Sequence, residues 1–220
     1  MVTINDLYNL EHTIAGEYLQ QFTYPWEALA GIKDLILQLG PQLGDEYCEL
    51  KPNVWVHESA VVFPSAYLGE PCIIGRNTEV RHCAFIRGSV IIGDNCVVGN
   101  STEIKNSILF NNVQVPHYNY VGDSILGYMS HLGAGSVTSN LRSDRAFVVV
   151  HATENIHTEC KKVGAMLGDY AEVGCNSVLN PGVVIGKHSI VYPTSCVRKA
   201  VPENSIHKNT GEVIAKVTLG

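Results

Sequence analysis

Aliphatic residues recur along the middle of the chain with a period of six. Counting from Val56, an aliphatic residue stands at every sixth position as far as Ile104, which makes nine consecutive positions. This spacing fits neither the 3.6-residue period of an α-helix nor the simple alternation of a strand. Gly often follows the aliphatic residue, and Asp or Asn follows within two positions, as in Ile92-Gly93-Asp94-Asn95. The pattern predicts a solenoid in which each six-residue unit is one short strand and one turn.

Three such units are expected to close one triangular coil of roughly eighteen residues, and successive coils stack in parallel. The aliphatic residue fills the interior, while Gly and Asn relieve the steric cost of positive φ at the corners. The frame shifts by one residue twice after Ile104 and then returns at Leu167. The inward residues beyond the first shift are Leu109, Val115, Val121, Leu126, Leu132, Thr138, Leu167, Val173, Leu179, Ile185, Val191 and Val197. The fold class is therefore all-β, a parallel β-helix over residues 54–201.

The six-residue pattern is interrupted between residues 139 and 166. This stretch contains a strand-like run, Phe147 to Val150, followed by a polar run from His151 to Lys162. We interpret it as a loop that leaves the coil. Long loops inside compact folds are usually functional.

The two ends of the chain lack the repeat. Residues 1–53 predict two helices, one carrying Leu7 to Leu19 and a second that begins near Tyr24-Pro25-Trp26 and ends before Gly40. Two helices bury little alone, so we expect a small cap packed on the first coil. Residues 202–220 are expected to form a tail, a short strand or helix against the other end.

Charge and composition exclude several classes of protein. The net charge of −6 and the pI near 5.8 argue against a nucleic-acid binder. No run reaches the ~18 apolar residues that a membrane helix needs. The N-terminus has no basic segment followed by an apolar stretch, so we expect no secretory signal. The seven cysteines form no C-x-x-C pair, which is typical of reduced thiols in a cytoplasmic protein.

One segment carries a family resemblance. The run Val115 to Gly127, VPHYNYVGDSILG, is followed by LGAGSVT at residues 132–138 and by Asn140-Leu-Arg. It resembles the acetyltransferase domain of bifunctional sugar-1-phosphate nucleotidyltransferase/glucosamine-1-phosphate N-acetyltransferases, the relatives of UDP-N-acetylglucosamine pyrophosphorylase. The resemblance covers roughly residues 20–200 and implies a left-handed β-helix. The Gly-rich segment that opens the nucleotidyltransferase half is not found in this sequence, so we expect acetyl transfer alone.

The resemblance implies two catalytic groups. His117 is the candidate general base, in a His-x-x-Tyr-x-Gly-Asp context that Tyr120, Gly122 and Asp123 complete. An amine must lose a proton as it attacks a thioester, and an imidazole suits that task near neutral pH. The N–H group of Ala134 would face the thioester oxygen and stabilise the oxyanion. The alternatives are an exposed corner histidine and an ordinary tight turn.

The resemblance also assigns the sugar phosphate to Arg87, Lys105 and Tyr120, and the sugar to Asn140. Phosphate binding needs cations and hydroxyl donors, and Arg offers a bidentate fork. Arg87 and Lys105 stand eighteen residues apart, so the repeat by itself places them at one corner of successive coils. The alternative is a solvated basic edge.

Two positions depart from the bacterial family. His131 stands where those members have a sugar-binding Asn, and we keep it among the substrate-binding candidates. Ala146 stands where they have a Lys, with Arg145 beside it. These departures leave open which amino sugar is accepted.

Acetyl-CoA is the implied co-substrate, bound in a groove between subunits of a homotrimer. The later coils, with Cys175, Tyr192, Arg198 and Lys199, are the expected wall of that groove, and the basic pair would meet CoA phosphates or serve only solubility. The predicted reaction is acetyl transfer to the amine of glucosamine-1-phosphate or galactosamine-1-phosphate in nucleotide-sugar biosynthesis.

Two other functions share this scaffold. A metal hydrase of the γ-carbonic anhydrase type commonly has a His-x4-His pair around zinc; the nine histidines include no such pair, so no metal is expected. A non-catalytic sugar-nucleotide-binding or assembly module would keep the scaffold and lose activity. The expected partners are small molecules and further copies of the chain, with neither nucleic acid nor membrane.

Overall fold

Short strands succeed one another along the chain and return to the same three faces of a triangular prism. The structure is a computed structural model and describes residues 2–217. Its strands, in chain order, are β1 (Tyr47–Lys51), β2 (Val54–His57), β3 (Val61–Val62), β4 (Tyr67–Leu68), β5 (Cys72–Ile74), β6 (Glu79–Val80), β7 (Phe85–Ile86), β8 (Val90–Ile92), β9 (Val97–Asn100), β10 (Glu103–Lys105), β11 (Ser107–Leu109), β12 (Gln114–His117), β13 (Tyr120–Gly122), β14 (Ile125–Leu126), β15 (His131–Leu132), β16 (Val137–Thr138), β17 (Val149–His151), β18 (Asn155–His157), β19 (Ala165–Leu167), β20 (Glu172–Val173), β21 (Val178–Leu179), β22 (Val183–Ile185), β23 (Ile190–Val191), β24 (Cys196–Val197), β25 (Ser205–His207) and β26 (Val213–Ala215).

Each face of the prism is one sheet. Sheet A contains β1, β2, β5, β8, β11, β14, β19 and β22; sheet B contains β3, β6, β9, β12, β15, β20, β23, β25 and β26; sheet C contains β4, β7, β10, β13, β16, β21 and β24. The chain passes from A to B to C in every coil, and the result is the expected left-handed parallel β-helix. The predicted register is confirmed through both frame shifts, since Leu109 pairs with Ile92 and Leu126 with Leu109.

The corners are formed by residues in the left-handed region of φ. Among them are Asn77, Cys83, Ser89, Asn95, Ser101, Asn106, Asn112, Tyr118, Asp123 and Met129. Asn is therefore used as predicted, because its short polar side chain tolerates this conformation. The expectation was wrong for Gly75, whose φ is not positive. A Cβ on Gly75 would lie 2.5 Å from the carbonyl carbon of Gly93 in the next coil, so this glycine allows close stacking.

The N-terminal segment corrects the predicted cap. It is built from α1 (Ile4–Leu7), α2 (Gly16–Leu19) and α3 (Ile32–Leu39), with 3₁₀ turns at Leu10–His12, Pro25–Gly31 and Gly40–Gln42. The first predicted helix is broken because Tyr8 is extended and the Asn9 side chain caps a new turn. The second begins at Pro25 as predicted and runs into α3.

This segment, residues 2–43, lies lengthwise along sheet A, and we call it the sheath. At one end the Leu7 carbonyl accepts a hydrogen bond from the Asp169 N–H group (2.9 Å), and the Tyr8 hydroxyl donates to the Ile125 carbonyl (3.3 Å). At the other end Gly40 lies against the indole of Trp55. It covers the face of sheet A over many coils because the outward residues of that sheet are apolar. They are Trp55, Ile73, Ile91, Ile108, Ile125, Met166 and Val184, all buried.

The interruption at residues 139–166 contains a hairpin. Leu141 pairs with Lys162 at its base, and β17 pairs antiparallel with β18. Val148 and Val150 are buried, and the His151 carbonyl accepts a hydrogen bond from the Ala200 N–H group (2.7 Å). The segment leaves the coil as predicted, but it folds back on the later coils of its own chain.

The β-helix continues one strand further than predicted. β25 adds parallel to β23 beyond Pro202, and β26 then pairs antiparallel with β25. The tail was expected to be a short strand or a helix, and the structure has strands there; the last three residues of the tail lie outside the described residues. Within residues 2–217 the longest α-helix is α3 with eight residues, and no helix is long and apolar enough to span a bilayer.

Candidate active site

His117 lies on the edge where sheet B turns into sheet C. It ends β12, its side chain is exposed, and its N–H group donates to the Asn119 side-chain oxygen (3.1 Å). Asn119 is buried, and its amide donates to the carbonyls of Gly133 (2.8 Å) and Ser136 (3.1 Å) in the next coil. Asn119 thus fixes the turn that presents His117. The repeat alone gives Asn119 no role, although an Asn beside the corner residue Tyr118 was a signal for one.

Ala134 occupies the same edge one coil later. Gln114 pairs with His131, so the position three residues on from His131 stands next to His117. The His117 carbonyl accepts a hydrogen bond from the Gly135 N–H group (3.0 Å). In residues 2–217 the Ala134 N–H group has no hydrogen-bond acceptor. The predicted base and the predicted oxyanion donor are therefore neighbours, and the donor is free.

The edge where sheet C turns into sheet A holds the predicted phosphate ligands. Arg87 follows β7 and Lys105 ends β10, and the register of these strands sets them in successive coils as predicted. Arg87 pairs with Glu103 (2.9 Å), and Lys105 pairs with Asp123 (3.0 Å). Both predicted cations therefore already have a carboxylate partner.

Asp123 is the centre of a hydrogen-bond network at this edge. Its carboxylate is almost fully buried and accepts from Lys105, from Asn106 (2.9 Å) and from Asn140. The Asn140 amide also donates to the Tyr120 hydroxyl (3.2 Å). Sequence reasoning placed Asp123 in the motif but gave it no role. A buried acid with three donors holds them in fixed positions.

Tyr120 connects the two edges. It begins β13 on the outer face of sheet C, and its hydroxyl reaches Asn140 above the far end of that strand. Burial raises the pKa of the Tyr120 hydroxyl, and the nearby carboxylates of Asp123 and Glu103 raise it further. The hydroxyl consequently stays protonated and remains a donor near neutral pH.

His131 lies apart from this network. It projects from sheet B, and its Nδ1 atom lies 2.9 Å from a carboxylate oxygen of Glu172. Ala146 and Arg145 are exposed in the excursion, where the Ala146 N–H group donates to Asp144 (3.1 Å). The structure does not bring these positions to the Asp123 network within one chain.

The predicted CoA residues divide between the two edges. Cys175 and Tyr192 are exposed and follow strands of sheet B, on the edge above His117 and Ala134. Arg198 follows β24 on the other edge and lines a cleft of about 390 Å³ against the hairpin, and Lys199 beside it is exposed. In the part of the chain that the structure describes, no three His, Cys, Asp or Glu side chains come together as a metal site.

The chain is similar in sequence to several known proteins. The family model of the GMPPB C-terminal domain matches residues 70–160. The bifunctional protein GlmU of Methanococcus maripaludis is 31% identical over 204 residues, which are 90% of this chain and 49% of that protein. Over these residues the chain is similar to about half of that bifunctional protein. The resemblance seen in the His117 to Asn140 region is thereby confirmed.

Other relatives match over shorter stretches. The bifunctional sugar-1-phosphate nucleotidylyltransferase/acetyltransferase of Sulfurisphaera tokodaii is 35% identical over 98 residues, 44% of this chain and 24% of that protein. The chain thus spans about half the length of the Methanococcus relative and less of this one. Among solved structures, PerB of Caulobacter crescentus, in complex with CoA and GDP-perosamine, is 21% identical with a TM-score of 0.41, covering 84% of this chain and 67% of that one. The polySia-specific acetyltransferase NeuO is 16% identical with a TM-score of 0.49, covering 75% and 84%.

Proposed function

We propose that this protein transfers the acetyl group of acetyl-CoA to the amine of an amino sugar 1-phosphate. The observation that carries the proposal is the outer face of sheet C, which has His117 and the free Ala134 N–H group at one edge and the Arg87, Lys105 and Asp123 network at the other. The strand between them, β13, has three residues and rises about 7–10 Å. A single sugar ring with a phosphate can bridge that distance. The homology to bifunctional sugar-1-phosphate enzymes supports the same reaction class.

The chemistry follows from the positions of these groups. The acceptor amine attacks the thioester carbonyl carbon, and the imidazole of His117 takes the amine proton as the C–N bond forms. The Ala134 N–H group donates to the oxyanion of the tetrahedral intermediate. The C–S bond then breaks, and the imidazolium returns the proton to the leaving thiolate of CoA. Acetyl group, proton and thiol are balanced without a further reactant.

The phosphate end of the acceptor would meet Arg87, Lys105 and Tyr120. Each of the two cations has a carboxylate partner, which orients it and leaves further N–H donors for a ligand. Asn140, held between Tyr120 and Asp123, offers its carbonyl oxygen to a sugar hydroxyl. His131 and its Glu172 partner project outward from sheet B, and we propose that they reach the acceptor site of a second copy of the chain in a homotrimer.

Acetyl-CoA would run along the edge that carries His117. Cys175 and Tyr192 lie on this edge in the following coils, next to the position of the thioester. Arg198 and Lys199 lie on the other edge and could reach the CoA phosphates of an adjacent subunit's site.

The test measures CoA release from acetyl-CoA with glucosamine-1-phosphate and with galactosamine-1-phosphate. We expect turnover with at least one acceptor, and a loss of about 10²–10⁴ in kcat for His117→Ala. His82→Ala is the matched control, since His82 is an exposed corner histidine on an earlier coil. Full activity in His117→Ala would reject the mechanism. Binding of an amino sugar phosphate without any turnover would favour the non-catalytic module.

A further inference from the structure

A concave pocket of about 340 Å³ lies at the edge between sheets C and A. Arg87, Lys105 and Asp123 line it from the β-helix. Lys33 lines it from α3 of the sheath, and Glu70 lines it from the first coil. The sheath therefore contributes a side chain to the same pocket as the predicted phosphate ligands. We call this the edge pocket.

Lys33 differs from the other two cations of the edge pocket in its pairing. Arg87 has Glu103 at 2.9 Å, and Lys105 has Asp123 at 3.0 Å. Among residues 2–217 no ion-pair or hydrogen-bond partner of the Lys33 ammonium is present, and its side chain is exposed. A ligand anion can therefore contact Lys33 without displacing a carboxylate.

The packing of α3 against the rest of the protein limits the positions that the Lys33 ammonium can reach. Ile32, Leu35 and Ile36 are buried on the side of the helix that faces the rest of the protein. Lys33 follows Ile32 directly and sits near the turn at Gly88, which also lines the edge pocket. A flexible four-carbon side chain on a fixed helix samples a small volume, and that volume includes the pocket.

We propose that Lys33 is a phosphate-binding residue of the acceptor site, supplied by the sheath and acting beside Arg87 and Lys105. The inference rests on the proposed function and specifies its substrate class as a phosphate monoester. A monoester carries about 1.5 to 2 negative charges near neutral pH. The three cations of the pocket face the carboxylates of Glu70 and Asp123 and, beside Arg87, that of Glu103. Among the described residues, Lys33 is the cation of this pocket that no carboxylate pairs with, so its charge is the one available to the ligand.

Glu70 lines the same pocket as Lys33, and its carboxylate would repel a bound phosphate. Its side chain is exposed, and in the described part of the chain it forms no ion pair. If phosphate occupies the edge pocket, removing the Glu70 charge must strengthen binding, whereas removing the Lys33 charge must weaken it. A purely structural role for either residue would not produce opposite signs.

The experiment measures equilibrium binding of glucosamine-1-phosphate and of unphosphorylated glucosamine to the whole chain by calorimetry, together with acetyl-transfer kinetics. We expect Lys33→Gln to weaken binding of glucosamine-1-phosphate by about three- to tenfold and to raise KM for this acceptor more than it lowers kcat. Lys33→Arg should restore most of the affinity, and Glu70→Gln should tighten binding by about twofold to fivefold. Glucosamine binding should be the same in all variants. In 1 M salt, where the Debye length is about 3 Å, the differences should shrink.

Lys161→Gln is the matched control, because Lys161 is an exposed lysine in the excursion outside the edge pocket. Equal affinity of wild type and Lys33→Gln for glucosamine-1-phosphate, in a protein that does acetylate it, would overturn the role of Lys33 alone. An equal loss in Lys161→Gln would also overturn it, since the effect would then belong to net charge. A wild-type protein that neither binds nor acetylates any amino sugar phosphate would overturn the proposed function and this inference together.

Discussion

Sheets A and C are built from the same repeat but present opposite outer faces. On sheet A the outward residues are large and apolar, and Ile73, Ile91 and Ile108 have no exposed surface. On sheet C the corresponding row includes Tyr67 and Val178, which are 55% and 38% exposed, and the polar Glu103 and Tyr120. The inward residues of both sheets are aliphatic, apart from Thr138 on sheet C. The repeat therefore builds the prism, and the outward residue decides whether a face is packed or left open for a ligand.

The sheath links the two faces. It covers sheet A, and its Tyr8, Trp26 and Ile32 belong to the same hydrophobic core as the β-helix. Its Lys33 lines the edge pocket between sheets C and A. A segment that looks like a cap in the sequence is thus part of the core, and we propose that it is also part of the site. Three predictions test this comparison.

The largest expected effect is a change in stability that depends on the face. Ile91→Asp places a carboxylate between sheet A and the sheath, and we expect it to lower the free energy of unfolding by more than about 4 kcal/mol or to prevent folding. Val178→Asp is the same change at an outward position of sheet C, and we expect a loss within about 1 kcal/mol. Urea denaturation followed by circular dichroism compares the two. Equal losses would show that a partner covers sheet C or that the sheath does not cover sheet A.

The second prediction concerns thiol reactivity. Burial raises the pKa of Cys72 on sheet A to about 12, and of Cys96 also to about 12, whereas a hydrogen bond from Asn180 and the nearby Arg198 lower the pKa of Cys196 on sheet C. The thiolate is the nucleophile. As the pH rises toward 9, Cys196 should therefore be alkylated early while Cys72 and Cys96 stay protonated and inaccessible.

Mass-spectrometric mapping of iodoacetamide labelling in the native protein checks this order. We expect Cys196 to react at least about 100-fold faster than Cys72. Unfolding in urea should make the two rates equal, which controls for local sequence effects. Fast labelling of Cys72 in the native protein would mean that the first coils of the β-helix open on the labelling timescale, because Cys72 lies on the inward side of its strand beside Ile74.

The smallest expected effect tests the network on the open side. Asp123→Asn removes the negative charge that pairs with Lys105. It also replaces one of the two oxygens that accept hydrogen bonds from Lys105, Asn106 and Asn140 with an NH₂ group. We expect kcat/KM for the amino sugar phosphate to fall by about 10-fold, chiefly through KM, because the donors lose their fixed positions. Asp94→Asn is the control: Asp94 accepts from the Arg76 N–H group (2.8 Å) at a different corner of the prism. A larger kinetic loss in Asp94→Asn would show that the effect is not specific to the Asp123 network.

The register of the β-helix was predictable from the sequence, whereas several contacts at the candidate site were not. The period of six and its two frame shifts predicted which residues face inward and which strands pair, and the stacking of Arg87 with Lys105 followed from the same count. The sequence did not reveal that Asp123 joins Lys105 with Asn140, because those residues come from different coils and their contact depends on side-chain direction. Nor did it reveal the site position of Lys33, which no repeat relates to the β-helix.

The chain's own pattern determined the solenoid because each six-residue unit has the same local requirement, an aliphatic side chain inward and a residue that tolerates positive φ at the corner. Only the tertiary structure decided where the sheath lies, since its helices are short and bind to whichever apolar face the finished prism presents. That face is sheet A, where Ile73, Ile91 and Ile108 recur once per coil beside the inward residues, but this spacing does not say which segment covers them. Burial of these side chains sets the path of the sheath, and that path brings Lys33 to the edge pocket.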